Sequence, residues 1–139
     1  MLYRQVKFNM ISQTTLRPSA NNFRDPELSC DWNKYATPEQ CRKFISKQYK
    51  PNTKEFKNES EYFICGIYVQ DNLNLNPQQT FLHDPIFRLI PKKGTPNNRA
   101  HSIIVGDKSE KDALKARGQL AARAKWILFD EQEFKQLIA

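Results

Sequence analysis

The sequence predicts a single α+β domain, residues 1–139, with a mostly antiparallel or mixed sheet covered by helices. The chain length of 139 residues suits one domain with one hydrophobic core. Strand-like segments, alternating at period 2 or dense in β-branched and aromatic residues, are interspersed with helical patterns. Their order is irregular, without the strict strand–helix–strand alternation of a parallel sheet. We expect one long helix near the C-terminus and a shorter helix after residue 37.

The first strand is predicted at residues 2–8, LYRQVKF, where apolar and polar side chains alternate. This assignment places Arg4 inside a strand. Residues 12–27 are rich in Ser, Thr, Asn and Pro, a composition typical of a loop. Residues 28–32, LSCDW, form a short predicted strand that leaves this loop.

The shorter helix is predicted to begin at the sequence TPEQ, residues 37–40. Thr37 supplies an N-cap hydroxyl, Pro38 suits the first helical position, and Gln40 lies three residues after the cap. Apolar side chains then fall on one helical face. They are Cys41, Phe44 and Ile45.

Three further segments have strand composition. Residues 62–75, YFICGIYVQDNLNL, are the densest in aromatic and β-branched residues and are predicted to be a central strand. Residues 79–90 predict one or two short strands interrupted at Asp84-Pro85, because proline cannot donate to a strand ladder. Residues 100–107, AHSIIVGD, predict a buried strand that ends in a Gly-Asp turn.

The long helix is predicted near the C-terminus. Ser109 followed by Asp112 resembles a capping box, and apolar residues recur at helical spacing from Ala113 to Leu128. This pattern indicates a helix of about 18 residues. Asp130 with Glu133 then predicts the start of a last short helix.

The charge balance limits the classes of ligand. The chain has 22 Lys and Arg against 15 Asp and Glu, a formal net charge of +7. Such a charge raises the local concentration of anions, so we expect a nucleotide, a nucleic acid or an acidic protein as ligand or partner. We expect no membrane partner and a cytoplasmic location, since no apolar run approaches the roughly 20 residues that span a bilayer.

Cysteine usage gives no sign of a disulfide framework or a zinc site. The three cysteines, Cys30, Cys41 and Cys65, are odd in number and lack the spacing of metal ligands. We interpret them as free and mostly buried thiols. A metal site is not expected either, because His83, Asp84 and His101 are the only neighbouring candidate ligands.

The two histidines, His83 and His101, are candidate catalytic residues. Histidine is the side chain whose unperturbed pKa lies near neutrality, which suits acid and base chemistry. Both lie at predicted strand ends beside loops, where rigid scaffolds commonly present reactive groups. The alternative is that each only makes a hydrogen bond at the end of a strand.

Arg4 is a candidate ligand-binding residue because a guanidinium inside an apolar strand is costly unless it is paired or reaches a cleft. Its planar donors suit phosphate or carboxylate. The alternative is an ion pair with Asp31, Asp71 or Asp107.

Two groups of basic residues are candidates for binding nucleic acid or a protein partner. One lies in a predicted loop and the other on the predicted long helix, and a merely solvated surface is the alternative. They are Lys92, Lys93 and Arg99 in the loop, and Lys111, Lys115 and Arg123 on the helix.

The order of these features resembles ADP-ribosyltransferase-like domains, which include RES-type toxins and RNA 2′-phosphotransferases. The resemblance is carried by LYRQV with Arg4, LSCDW with Ser29, and NRAHSII with His101. It implies that Arg4 meets cofactor phosphate, that Ser29 is the polar residue of the later strand, and that His101 is the catalytic or positioning side chain. In the leading hypothesis Arg4 and Arg99 hold phosphate, Ser29 orients the ligand, and His101, with His83, acts as acid or base. NAD is the cofactor that the resemblance implies.

The leading hypothesis from the sequence is therefore a nucleotide- or RNA-phosphate-handling enzyme or toxin. The alternatives are a non-catalytic module that binds nucleic acid or an acidic protein, and a structural subunit of a larger assembly. An enzyme and a binding module require different geometries. An enzyme requires the candidate residues to converge in one cleft, whereas a binding module does not require this.

Overall fold

The computed structural model describes residues 1–75, 77–108 and 114–139. Within them the chain forms six strands, which are β1 Leu2–Lys7, β2 Glu27–Trp32, β3 Tyr62–Ile67, β4 Thr80–His83, β5 His101–Val105 and β6 Lys125–Leu128. They form one sheet in the order β4-β5-β2-β1-β3-β6, in which every pairing is antiparallel. The helices are α1 Pro38–Ile45, α2 Val69–Leu73, α3 Leu114–Arg123 and α4 Glu131–Ile138. The predicted α+β class is confirmed.

The two faces of the sheet are covered by different helices, because side chains alternate along each strand. Leu2 and Val6 of β1 lie in the main core cluster, which also contains Leu120 of α3 and Phe134 of α4. Tyr3 lies on the other face, in a smaller cluster with Cys41 of α1 and Ile64 of β3. Helices α3 and α4 therefore cover one face, and α1 covers part of the other.

The predicted start of α1 is confirmed in detail. The Thr37 hydroxyl accepts a hydrogen bond from the Gln40 backbone N–H at 3.1 Å, and Gln40 Oε1 accepts one from the Thr37 N–H at 2.9 Å. At the start of α4, the Asp130 carboxylate accepts from the Glu133 N–H at 2.9 Å, as predicted. The three cysteines are free and buried, which was also predicted.

The predicted long helix is wrong at its C-terminal end. Helix α3 ends at Arg123, and Lys125–Leu128 form β6, an edge strand paired with β3. The reason is a distant residue: the Arg17 guanidinium donates to the carbonyls of Ala121, Ala122 and Ala124 and so caps the end of the helix. The predicted capping pair Ser109 and Asp112 lies outside the described residues.

The predicted strand at residues 62–75 is correct only in its first half. Strand β3 ends at Ile67, and the chain turns into the short helix α2. The aromatic and β-branched residues that indicated a strand are concentrated in the first half, and a polar QDN sequence follows Val69. High strand propensity at one end of the segment does not extend pairing to the other.

Residues 84–99 form an arm that continues beyond β4 and β5. The arm is held by a bridge between Ile86 and Asn98, and it reverses direction at residues 92–95 with Gly94 at φ 79°. It folds back onto the residues that follow α1, where the Tyr49 N–H donates to the Gly94 carbonyl at 3.1 Å. The arm is therefore a wall beside the α1 face of the sheet.

Candidate functional site

The site begins where β1 and β2 separate. Strand β1 pairs with β3 along its whole length, but its register with β2 covers only Leu2 with Trp32 and Tyr3 with Asp31, both strands being fully described. The Arg4 side chain lies in the gap that opens beyond Tyr3. Arg4 Nη1 donates to the Ser29 carbonyl at 2.8 Å, and Arg4 Nη2 donates to the Asn22 carbonyl at 3.1 Å. A charged side chain thus supplies donors to carbonyls at the point where the two strands part.

The sequence left open whether Arg4 pairs with a carboxylate or reaches a cleft. In the described part of the chain no carboxylate lies within 4.0 Å of it, and Arg4 lines a cleft. Its Nε atom is buried and has no hydrogen-bond partner among the described residues.

The cleft encloses about 350 Å³ on the α1 face of the sheet. Its floor is formed by β1, β2 and β5, and its sides by the C-terminal end of α1, the residues after it, and the arm. The lining residues used below are Arg4, Ser29, Asp31, Lys57, Asn98 and His101. Three residues that the sequence singled out, Arg4, Ser29 and His101, therefore share one cleft.

His101 is oriented by hydrogen bonds to both ring nitrogens. Its Nδ1 lies 2.7 Å from the Asp84 carbonyl oxygen and 3.4 Å from Asp84 Oδ2. Because a carbonyl can only accept, Nδ1 carries the proton in the neutral ring, and Nε2 then has its lone pair free. That Nε2 lies 3.3 Å from Ser29 Oγ, so the Ser29 hydroxyl donates to it. This tautomer suits a general base.

Lys57 is a second cation in the cleft. Its Nζ donates to Gln48 Oε1 at 3.3 Å. Burial lowers the pKa of Lys57, and the nearby charges of Arg4 and Lys7 lower it further. No described carboxylate lies within 4.0 Å of Lys57 to balance its charge. The cleft therefore has two cationic lining residues, Arg4 and Lys57, with no described carboxylate within 4.0 Å of either.

His83 lies on the opposite face of the sheet from His101. The register pairs His83 with Ser102, so side chains at 83 and 101 point in opposite directions. His83 Nε2 donates to the Arg99 carbonyl at 2.8 Å, and its ring stacks on Tyr35 with centroids 5.0 Å apart. These contacts hold the end of β4 against Tyr35 and Arg99. His83 does not line the cleft.

Arg99 lies in a second cleft next to the first. Its guanidinium carbon stands 4.3 Å from the centre of the Tyr35 ring. This second cleft encloses about 380 Å³, and its cationic lining residues are Lys43, Lys47 and Arg99. The two clefts share Asp31, Phe44 and Asn98. Arg99 is thus close to the first cleft without lining it.

The remaining predicted basic residues do not form one surface. Lys92 and Lys93 are exposed on the arm. Lys115 is exposed on α3, which covers the opposite face of the sheet, and Arg123 Nη1 donates to the Asp71 carbonyl at 3.1 Å. Lys111 lies outside the described residues.

Sequence reasoning missed Lys57 as a site residue, and it considered Asp31 only as an ion-pair partner of Arg4 and Asp84 only as a metal ligand. One signal was present, since Asp31 is two residues after Ser29 and shares its strand face. Lys57 lies in a polar segment with several other lysines and had no distinguishing pattern.

Comparisons of the chain with protein-family models, with curated proteins and with solved structures found no match.

Among the described residues, no group of three or more His, Cys, Asp or Glu side chains could hold a metal ion. None of the described helices has the length and apolarity needed to cross a membrane.

Proposed function

We propose that the cleft binds the phosphate of a nucleotide or of an RNA end and that the protein acts on it as an enzyme. Arg4 and Lys57 attract the phosphate, Ser29 orients the ligand, and His101 transfers a proton. One observation carries the proposal: residues from three strands that are distant in the chain, Arg4, Ser29 and His101, line the same cleft.

The hydrogen bonds around His101 support acid and base chemistry. His101 Nε2 accepts a proton from a hydroxyl group as the oxygen of that group forms a bond to the phosphorus atom of the ligand, and the bond from phosphorus to the leaving oxygen breaks. The resulting imidazolium has its Nδ1 at 3.4 Å from the Asp84 carboxylate, which stabilises the positive charge. The ring then returns the proton to the oxygen of the leaving group.

The resemblance to ADP-ribosyltransferase-like domains gives the first ligands to test. Such domains use an early-strand arginine against cofactor phosphate, and Arg4 lies in the cleft with Ser29 and His101. NAD is therefore the first candidate cofactor, and 5′-phosphorylated RNA is the first candidate substrate.

The test is calorimetric titration of the protein with adenosine 5′-monophosphate (AMP), NAD and a 5′-phosphorylated RNA, with mass spectrometry of the ligand after incubation. We expect at least one ligand to bind and Lys57→Ala to weaken its binding about tenfold, as the loss of one charged hydrogen bond does. We expect His101→Gln to retain binding and to abolish any chemical change.

The controls are Lys93→Ala and His83→Gln, which remove one lysine and one histidine outside the cleft. Both should behave as the parent does. If the parent binds none of the three ligands, or if the cleft variants bind as well as the controls, the proposal is wrong.

A second candidate function, a non-catalytic module for an acidic protein partner, is favoured by one observation. Phe87, Leu89 and Ile90 on the arm are 75%, 89% and 82% exposed. Cations lie next to them, at Arg88, Lys92 and Lys93. Exposed apolar residues of this kind often mark a protein interface.

Copurification separates this candidate from the first. An acidic protein that copurifies in stoichiometric amount with the parent, and is lost with Phe87→Ser and Leu89→Ser, would support the module. Loss of the same protein with Lys57→Ala would place its binding in the cleft instead.

A further inference from the structure

We propose that the second cleft binds a second phosphate of the same ligand, and that the ligand is a ribonucleotide chain whose sugar lies against Asp31. This inference rests on the proposed function, because it extends the ligand of the first cleft. It assigns a substrate class to the site: a chain with two phosphates separated by a ribose.

The two clefts are adjacent and share a wall. Asp31, Phe44 and Asn98 line both of them. The cations of the first cleft, Arg4 and Lys57, lie on one side of this wall, and those of the second lie on the other. A ligand that fills both clefts must therefore have an anionic group at each end and cross the wall between them.

The second cleft has the charge that a phosphate requires. Lys43 and Lys47 are exposed, and the guanidinium of Arg99 is oriented by the Tyr35 ring. None of these three cations lies within 4.0 Å of a carboxylate in the part of the chain that the structure describes. An arginine held by stacking loses less conformational freedom on binding than a free one.

Asp31 determines which part of the ligand crosses the wall. It is only 6% exposed, and its Oδ1 accepts a hydrogen bond from Asn98 Nδ2 at 2.7 Å. Asp31 also lies close enough to the Cys41 thiol to raise its pKa, after burial as the larger cause. A carboxylate has about four acceptor positions, so it can still accept from a donor on a ligand.

A carboxylate repels phosphate and accepts hydrogen bonds from hydroxyl groups. The part of the ligand that lies against Asp31 is therefore uncharged and carries hydroxyl donors, as ribose does. An acidic peptide fits less well, because its carboxylates cannot donate to Asp31. The 2′-hydroxyl is the group that distinguishes RNA from DNA at such a position.

The experiment compares three probes by calorimetry: AMP, the 5′-phosphorylated dinucleotide pApA, and its deoxyribose equivalent. In the parent we expect pApA to bind at least tenfold more tightly than AMP and more tightly than the deoxyribose form. In the Lys43→Ala, Lys47→Ala double variant we expect AMP to bind as in the parent and the advantage of pApA to fall below threefold. In Asp31→Asn we expect the preference for ribose to disappear.

The matched control is the double variant Lys54→Ala, Lys115→Ala, which removes the same charge at two exposed positions outside both clefts. It should keep the full advantage of pApA, and melting temperatures should show that every variant is folded. If AMP binds but pApA binds no more tightly, or if the control loses the same advantage, the second subsite is wrong and the proposed function stands. If none of the probes binds and NAD does not bind either, the proposed function itself fails.

Discussion

At the scale of single residues, Arg4 connects the fold to the site. It offers two donors to carbonyls of residues 22 and 29, at the point where β1 and β2 separate. Arg4 also lines the cleft, and it lacks a carboxylate partner among the described residues. One side chain therefore stabilises the separation of the strands and contributes a positive charge beside the cleft.

Replacement of Arg4 should cost stability as well as binding. We expect Arg4→Met to lower the free energy of unfolding by about 1–3 kcal/mol, because two carbonyls lose a charged donor. Arg4→Lys should recover only part of this loss, since an ammonium group lacks the planar fork that spans two acceptors. Urea unfolding measures both effects.

The control for this prediction is Arg88→Met on the arm, where the side chain is exposed. Its free energy of unfolding should stay within about 0.5 kcal/mol of the parent. If Arg4→Met is equally harmless, Arg4 does not hold the strands in place.

The sequence could predict that Arg4 needs a partner or a cleft, because an arginine inside an apolar strand is costly. It could not show that the partners are backbone carbonyls, since no local pattern reveals where two strands separate. The two histidines show the same limit. Both were expected at strand ends, but their opposite directions follow from the pairing of His83 with Ser102, which a single sequence does not show.

At the scale of elements, the arm determines the shape of the cleft. Gly94 has φ 79°, a value that favours glycine, and it lies against the ring of Tyr49. The Tyr49 N–H also donates to the Gly94 carbonyl. This contact fixes the arm to the residues that follow α1 and keeps that side of the cleft in place.

Two glycine replacements should have opposite effects. In Gly94→Ala the new Cβ overlaps the Tyr49 ring and the backbone is strained, so we expect a loss of about 1–3 kcal/mol and weaker ligand binding. In Gly118→Ala, on α3, the new Cβ has no heavy atom within 4 Å among the described residues. That change should add about 0.5–1 kcal/mol, because alanine favours a helix over glycine.

Thermal and urea unfolding of both variants test this prediction, and AMP titration tests the cleft. Equal effects of the two replacements on stability would mean that the contact between Gly94 and Tyr49 does not hold the arm. Normal AMP binding by Gly94→Ala would mean that the arm does not shape the first cleft.

Elements with local signals were predictable, and elements fixed by distant contacts were not. The start of α1 follows from the Thr37 capping box, which lies within four residues. The end of α3 depends on Arg17, more than 100 residues away in the chain. Residues 125–128 continue a helical spacing but pair with β3, so tertiary contacts override local propensity there.

At the scale of the whole molecule, buried titratable groups connect stability to pH. Lys108 is fully buried and donates to the carbonyls of Pro26, Ile104 and Gly106. Burial lowers the pKa of Lys108 to about 8. Burial also raises the pKa of Cys30 and of Cys65 to about 12. The pKa of Cys41 is raised as well, by burial first and by Asp31 second.

These shifts act in opposite directions above neutral pH. Between about pH 8 and its ordinary pKa of 10.5, Lys108 is deprotonated in the folded chain and protonated in the unfolded chain, so its contribution to stability rises with pH. The thiols stay protonated in the folded chain above their ordinary pKa of 9.0, where the unfolded chain loses these protons. Their contribution to stability therefore falls as pH rises.

The three thiols outweigh Lys108 and the smaller lowering of the Lys57 pKa, so the free energy of unfolding should decrease between pH 9 and pH 10 by about 2 kcal/mol, at about 1.4 kcal/mol per proton and pH unit. Urea unfolding in the presence of a reductant at pH 7, 8, 9 and 10 measures the change.

Cys65→Ala should make the decrease in stability smaller, because it removes one of the three thiols. Lys108→Met should make it larger, because it removes the opposing group. Stability that stays constant or rises from pH 9 to pH 10 would show that the thiols do not titrate differently in the folded and unfolded chains.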